Sequence, residues 1–213
     1  MHIFKRWGHI LGILTIPLQG LIYLLIAQST ESNAFFNYYW IDTKIPFLSW
    51  FAYPYVVWMP VLYIGFLYFA VKDRSLYWRT LAIYNISVMA CNLIFWLFPT
   101  YVPRPELAGS DLASLLVLFV YQNDAPLNCF PSIHCLTSYL LFITINRHQL
   151  LGKISRIGWS TLLWLIIAST VFIKQHSIID IAGGIIVAEA TYQLIHYYAA
   201  KSRNYNKSTS TAA

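Results

Sequence analysis

Charge is what this sequence has least of. Only 10% of its 213 residues are charged and 58% are hydrophobic, whereas soluble domains carry about a quarter charged residues. Three cysteines are too few for a disulfide framework. Cys91 sits within an apolar run and reads as a small core residue, and only proximity argues for a Cys129–Cys135 pair. Glycine-rich phosphate loops, internal repeats and clusters with metal-ligand spacing are all missing. We therefore expect no metal and no cofactor. Acids are the scarcer charge, eight against fourteen Lys and Arg, for a net +6. In a soluble chain that balance would suggest nucleic acid. In so apolar a chain its distribution says something else, and no nucleic-acid partner is expected.

What is abundant is long apolar runs. Six lie near 10–27, 51–71, 80–98, 132–145, 157–172 and 178–197, close to the ~20 residues that a helix needs to cross a bilayer. Backbone groups in lipid must bond internally, so these runs are read as helices. The expectation is an all-α polytopic membrane protein with six transmembrane helices. Residues 1–200 would form one catalytic domain and 201–213 a disordered polar tail. The first run exceeds the apolar core of a signal peptide and reads as a retained helix. The fourth is short and should extend at one end. Residues 112–121 are too few to span and suggest an interfacial helix. The aromatic stretch 28–50 reads as an interfacial cap or as an ordinary aromatic belt.

Basic residues set the orientation. Lys5 and Arg6, then Lys72, Arg74 and Arg79, then Arg147, Lys153 and Arg156, and finally Lys201, Arg203 and Lys207 all fall on one side of this topology. Only Lys44, Arg104 and Lys174 fall on the other. The positive-inside rule puts both termini in the cytoplasm. Three polar segments then share the outer face: Val102-Pro-Arg104-Pro105, Cys129-Phe-Pro-Ser132-Ile-His134, and Lys174-Gln-His176-Ser-Ile-Ile-Asp180.

Ionisable groups at the ends of apolar runs are costly unless they serve a purpose. Two histidines, a carboxylate and fixed cations suit phosphoryl transfer without a metal. His176 and Asp180, four apart, share a helix face, so the acid can orient the histidine as nucleophile. His134 suits a proton donor. Arg104, Lys174 and Ser132, the last at a helix N-terminus, are candidates for binding phosphate. Glu189 lies about 900° of helical turn beyond Asp180, on the opposite face, and is expected to pair with a polar group such as Asn85 or Asn92. Gly184-x-x-x-Ala188 suits close helix contact.

Together these segments resemble the type 2 phosphatidic acid phosphatase superfamily, whose pattern is Lys-x6-Arg-Pro, Pro-Ser-x-His and Ser-Arg-x5-His-x3-Asp. Arg104-Pro105, Pro131-Ser132-Ile-His134 and Ser169-Thr170-x5-His176-x3-Asp180 match it in order. Leu97 and Thr170 stand where the family has a lysine and an arginine, and Lys174 is the residue expected to replace one of those charges. The resemblance implies that His176 forms a phosphohistidine, with Asp180 orienting it and His134 as acid and then base. It also implies that Arg104, Lys174, Ser132 and Ser169 hold phosphate oxygens, with no metal. The expected activity is hydrolysis of a lipid phosphate or diphosphate at the outer leaflet of the cell membrane, with membrane lipids as the other partners. The alternatives are a lipid phosphotransferase and a non-enzymatic lipid-binding or transport protein.

Overall fold

The computed structural model describes residues 8–30, 33–107 and 109–210, with side chains to 202. It is all-α apart from a minimal parallel pair of strands, β1 (Phe35–Phe36) and β2 (Thr100–Tyr101). We number the helices α1 (Gly8–Thr30), α2 (Trp40–Thr43), α3 (Ser49–Lys72), α4 (Arg74–Leu97), α5 (Leu112–Asn123), α6 (Ile133–Arg147), α7 (Lys153–Phe172) and α8 (Ile178–Ser210). Helix α1 begins as a 3-10 stretch, Gly8–Leu14. Helix α3 breaks at Val57, between Pro54 and Pro60, where proline cannot supply a helical N–H.

Five helices, α1, α3, α4, α7 and α8, are long and apolar enough to cross a membrane. The expected sixth, α6, has only 15 residues and does not extend. At 1.5 Å per residue that is roughly 22 Å, short of a ~30 Å hydrocarbon core. Its position explains the shortfall. Helix α6 is central, packed against α3, α4, α7 and α8, and buries Leu136, Leu140, Leu141 and Ile145. Protein surrounds it, so lipid thickness does not dictate its length.

Sharp caps make the connections. Asp73 separates α3 from α4 by one residue and accepts the N–H groups of Ser75 and Leu76, satisfying orphan donors of the new helix. Asp111 does the same for α5 through Ala113 and Ser114. At one end of the bundle the α3–α4 and α6–α7 turns meet, where Tyr68 Oη donates to the Leu150 carbonyl at 2.8 Å. The basic groups Lys72, Arg74, Arg79, Arg147, Lys153 and Arg156 cluster around these turns. Lys5 and Arg6 lie outside the described residues. The loops bearing the three polar segments gather at the opposite end.

Two expectations change. Helix α8 runs on to Ser210, into the stretch read as a disordered tail. Extending an existing helix needs no new nucleation. Residues 211–213 lie outside the described residues. Glu189 pairs with Arg147, at 2.8 Å and 3.0 Å, rather than with Asn85 or Asn92. Nine residues along α8 carry it to the basic end of the bundle, beside the last turn of α6. Asn85 and Asn92 instead bond α1, through Thr15 and Gln19.

The small-residue pattern on α8 has a specific use. A Cβ on Gly184 would stand 2.5 Å from the Ser132 carbonyl oxygen and 3.0 Å from the Leu136 nitrogen. Glycine therefore lets α8 touch the start of α6. That contact brings the second and third polar segments together.

Candidate active site

His176 closes the turn between α7 and α8. Lys174 adopts φ 56° there, and the Thr170 carbonyl accepts the N–H groups of both Gln175 and His176. The imidazole is nearly buried (8% exposed) and Asp180 is wholly so. His176 Nδ1 lies 3.1 Å from the Cys129 carbonyl and 3.4 Å from Asp180 Oδ2. Both neighbours accept, so the proton belongs on Nδ1 and the lone pair on Nε2. Asp180 is itself fixed, because Ser177 N–H donates to Oδ2 at 2.8 Å and Asn37 Nδ2 donates to Oδ1. These donors fix the orientation of the buried carboxylate.

His134 lies in the first turn of α6, behind the N-cap Ser132, whose hydroxyl accepts the Cys135 N–H at 3.3 Å. Its Nδ1 faces His176 Nε2 at 3.4 Å. Its other nitrogen, Nε2, is 3.8 Å from Asp124 Oδ2. The ring lies against Trp58 and Tyr55, with centroids 3.9 and 4.7 Å away. Asp124 accepts from Tyr55 Oη and, at 3.4 Å, from Gln175 Nε2.

The phosphate-binding residues expected from sequence are placed differently. Lys174 is buried and donates to the carbonyls of Asp42 (2.9 Å) and Ile45 (2.6 Å). Its left-handed backbone directs the side chain into the 38–45 loop. Arg104 donates to the carbonyls of Tyr121 (2.9 Å) and Asp124 and to Gln175 Oε1, and its guanidinium lies over the Tyr121 ring at 4.3 Å. Burial lowers its pKa, opposed by the nearby Asp124 charge. Ser132 serves as a cap. The Ser169 hydroxyl donates back to the Ile166 carbonyl at 2.6 Å in a fully buried position. Leu97, at the family's lysine position, is 51% exposed, and Thr170 is buried.

A cavity of about 700 Å³ opens from the histidines along α1, α3, α4 and α5. Its walls include Leu21, Leu24, Met59, Val88, Phe95 and Phe119, and its polar end holds His134, His176, Gln175, Asn128 and Asp124. Among the described residues, no lysine or arginine lines it. Cys129 also lies at this end. Burial and the charges of Asp180 and Asp124 push its thiol well above the ordinary range, so it is a neutral thiol and a poor nucleophile. Cys129, His176 and Asp180 are close enough to hold a metal ion. However, His176 Nδ1 faces the Cys129 carbonyl and both Asp180 oxygens already accept hydrogen bonds, so these atoms are committed within the protein. The three cysteines are free.

The cap over the site joins both readings of the aromatic stretch. Phe35, Phe36, Trp40 and Trp50 are exposed like a belt. The same segment is tied down by Lys174 and by Asp42, whose Oδ1 accepts the Ile178 N–H at 2.8 Å and so caps α8. Asn37 reaches Asp180 from this cap. Asn37, Asp42, Tyr55, Asp124 and Gln175 were not singled out from sequence. Asp124 alone carried a local signal, a negative charge just past the C-terminus of α5, where the helix dipole opposes it.

An all-α membrane bundle with two histidines facing each other, His176 buried and His134 partly buried, defines a class, the integral membrane proteins with a paired-histidine site. A family model described as the PAP2 superfamily matches residues 30–194, and the chain belongs to that superfamily. Its members are generally phosphatases. The matched stretch contains every candidate catalytic and phosphate-binding residue named above and leaves out most of α1. Comparison with curated proteins and with solved structures gave no match.

Proposed function

We propose that this protein cleaves a lipid phosphate or diphosphate through a phosphohistidine on His176, with phosphatidate, phosphatidylglycerol phosphate and undecaprenyl diphosphate as the substrate class. The observation that carries this reading is His176 Nε2 facing His134, with no carboxylate or carbonyl on it, at the polar end of a largely apolar cavity between membrane helices. The lipid chain lies along α1, α3 and α4, and the phosphate reaches the histidines.

In the first step His176 Nε2 attacks phosphorus as the P–O bond to the lipid breaks, and His134 gives its proton to the departing oxygen. In the second, water gives a proton to His134, its oxygen attacks phosphorus, and the N–P bond breaks. The 3.4 Å contact between the rings occupies the place of the phosphoryl group, so substrate displaces it. Burial lowers the pKa of His134, opposed by the charge of Asp124, and a bound phosphate further favours the protonated form. That proton supplies positive charge in a cavity that no lysine or arginine lines among the described residues. The basic residues at the opposite end of the bundle, with the positive-inside rule, support an extracytoplasmic site in the cell membrane.

An alcohol acceptor uses the same residues. Asn123, Asp124 and Gln175 beside the histidines offer hydrogen bonds to a hydroxyl, which favours phosphotransfer as the second reading. The test is purified protein given a panel of lipid phosphates in the presence of chelator, with free phosphate and new lipids measured. Free phosphate that disappears in His176→Ala supports hydrolysis. A new phospholipid without free phosphate indicates transfer. Turnover that survives in His176→Ala refutes the nucleophile.

A further inference from the structure

His176 has a partner carboxylate in Asp180, and the structure gives His134 one as well. We propose that Asp124 is a positioning residue for the proton donor, so that the site is a mirrored relay of two histidine–carboxylate pairs. This inference rests on the roles proposed above for His176 and His134.

The contacts run in sequence from one carboxylate to the other. Asp180 Oδ2 faces His176 Nδ1, His176 Nε2 faces His134 Nδ1, and His134 Nε2 faces Asp124 Oδ2. Each histidine thus turns one nitrogen to its carboxylate and the other to the reaction centre. Asp124 sits 3.8 Å from His134, looser than a hydrogen bond, as catalytic pairs often are before substrate binds. Three groups hold it there. Tyr55 Oη donates to its carboxylate, Gln175 Nε2 does so at 3.4 Å, and Arg104 takes its backbone carbonyl. Tyr55 and Trp58 both pack against the His134 ring and restrict its movement. Arg104 therefore bears on the chemistry through Asp124 and Gln175 rather than by gripping phosphate.

The role follows from the geometry. With Nε2–H held by Asp124, His134 Nδ1 is the nitrogen that gives its proton to the departing oxygen and later takes one from water or an alcohol. A carboxylate on the far nitrogen stabilises the imidazolium present before the first step and after the second. The titratable groups facing His134 are Asp124 from the end of α5, Tyr55 from α3 and His176 from the α7–α8 turn. Tyr23, Cys129, Arg104 and Asp180 lie beyond them.

The test compares leaving groups. Phosphatidate loses an alkoxide that needs a proton, whereas para-nitrophenyl phosphate loses a phenolate that does not. Asp124→Asn is expected to slow phosphatidate turnover by about 10²-fold and to shift its pH profile. The pre-steady-state burst of nitrophenolate should change less than about 3-fold on the same scale. Asp124→Glu should recover part of the loss. Thermal unfolding of the detergent-solubilised variants checks that they fold. Equal losses on both substrates, or no loss on phosphatidate, overturn the inference. His176→Ala separates the two levels. If it is inactive while Asp124→Asn is normal, only the role of Asp124 fails. If it stays active, the underlying mechanism fails.

Discussion

His176 and His134 each face a carboxylate, yet the two pairs are built in different ways. His176, in the turn before α8, and Asp180, in its first turn, are four residues apart and almost sealed from solvent. Their geometry is fixed by α8 and by Asn37 reaching in from the cap. His134 and Asp124 come from different helices, α6 and the end of α5, and meet only when α3 supplies Tyr55 and the α7–α8 turn supplies Gln175. The first pair is local and rigid, and the second is assembled and looser. This suits the tasks proposed for them. A nucleophile needs one fixed line of attack, whereas a proton donor must move between a departing oxygen and an arriving one.

The largest effect that would sharpen this contrast belongs to the local pair. His176→Ala should lower lipid phosphate turnover by about 10⁴-fold or more, as loss of a covalent nucleophile does, measured as released phosphate. Gly184→Val tests the contact that brings the pairs together. Its side chain would collide with the backbone of Ser132 and Leu136, so thermal unfolding should show a loss of about 1–3 kcal/mol and activity should fall with it. Asn37→Ala removes a donor from a buried carboxylate, worth about 1–3 kcal/mol. It should lower kcat roughly tenfold while Asp124→Asn retains its leaving-group dependence. Lys174→Met should have the smallest effect on chemistry. It releases the cap from the α7–α8 turn and lowers the unfolding temperature, while KM for the lipid phosphate changes less than about twofold, because Lys174 holds carbonyls and not substrate. A large rise in KM would restore Lys174 to phosphate binding.

The local pair was legible because a spacing of four needs no knowledge of the fold. The same holds for Ser132 before α6, the short α5 and the apolar runs, whose cause lies within a few turns of chain. Asp124 was hidden because its partners Tyr55, His134 and Gln175 lie on three other segments. Where the Lys174 and Arg104 side chains bond was not legible for a related reason. Sequence reports a cation near a histidine, but only the backbone, here a left-handed residue at Lys174, decides which side of the turn the side chain leaves from. The length of α6 was misjudged because hydropathy cannot distinguish a helix that faces lipid from one wrapped in other helices.

The account depends on a covalent bond between phosphorus and His176 Nε2. The direct measurement is rapid quench of the protein with radiolabelled phosphatidate, followed by a search for bound phosphate that is labile to acid and stable to alkali. The account predicts such label on the peptide containing His176 and none in His176→Ala; with His134 replaced by a residue that cannot act as acid or base, label should accumulate from para-nitrophenyl phosphate, whose departing phenolate needs no proton. Full turnover with no label on that peptide, at times shorter than one catalytic cycle, would contradict it.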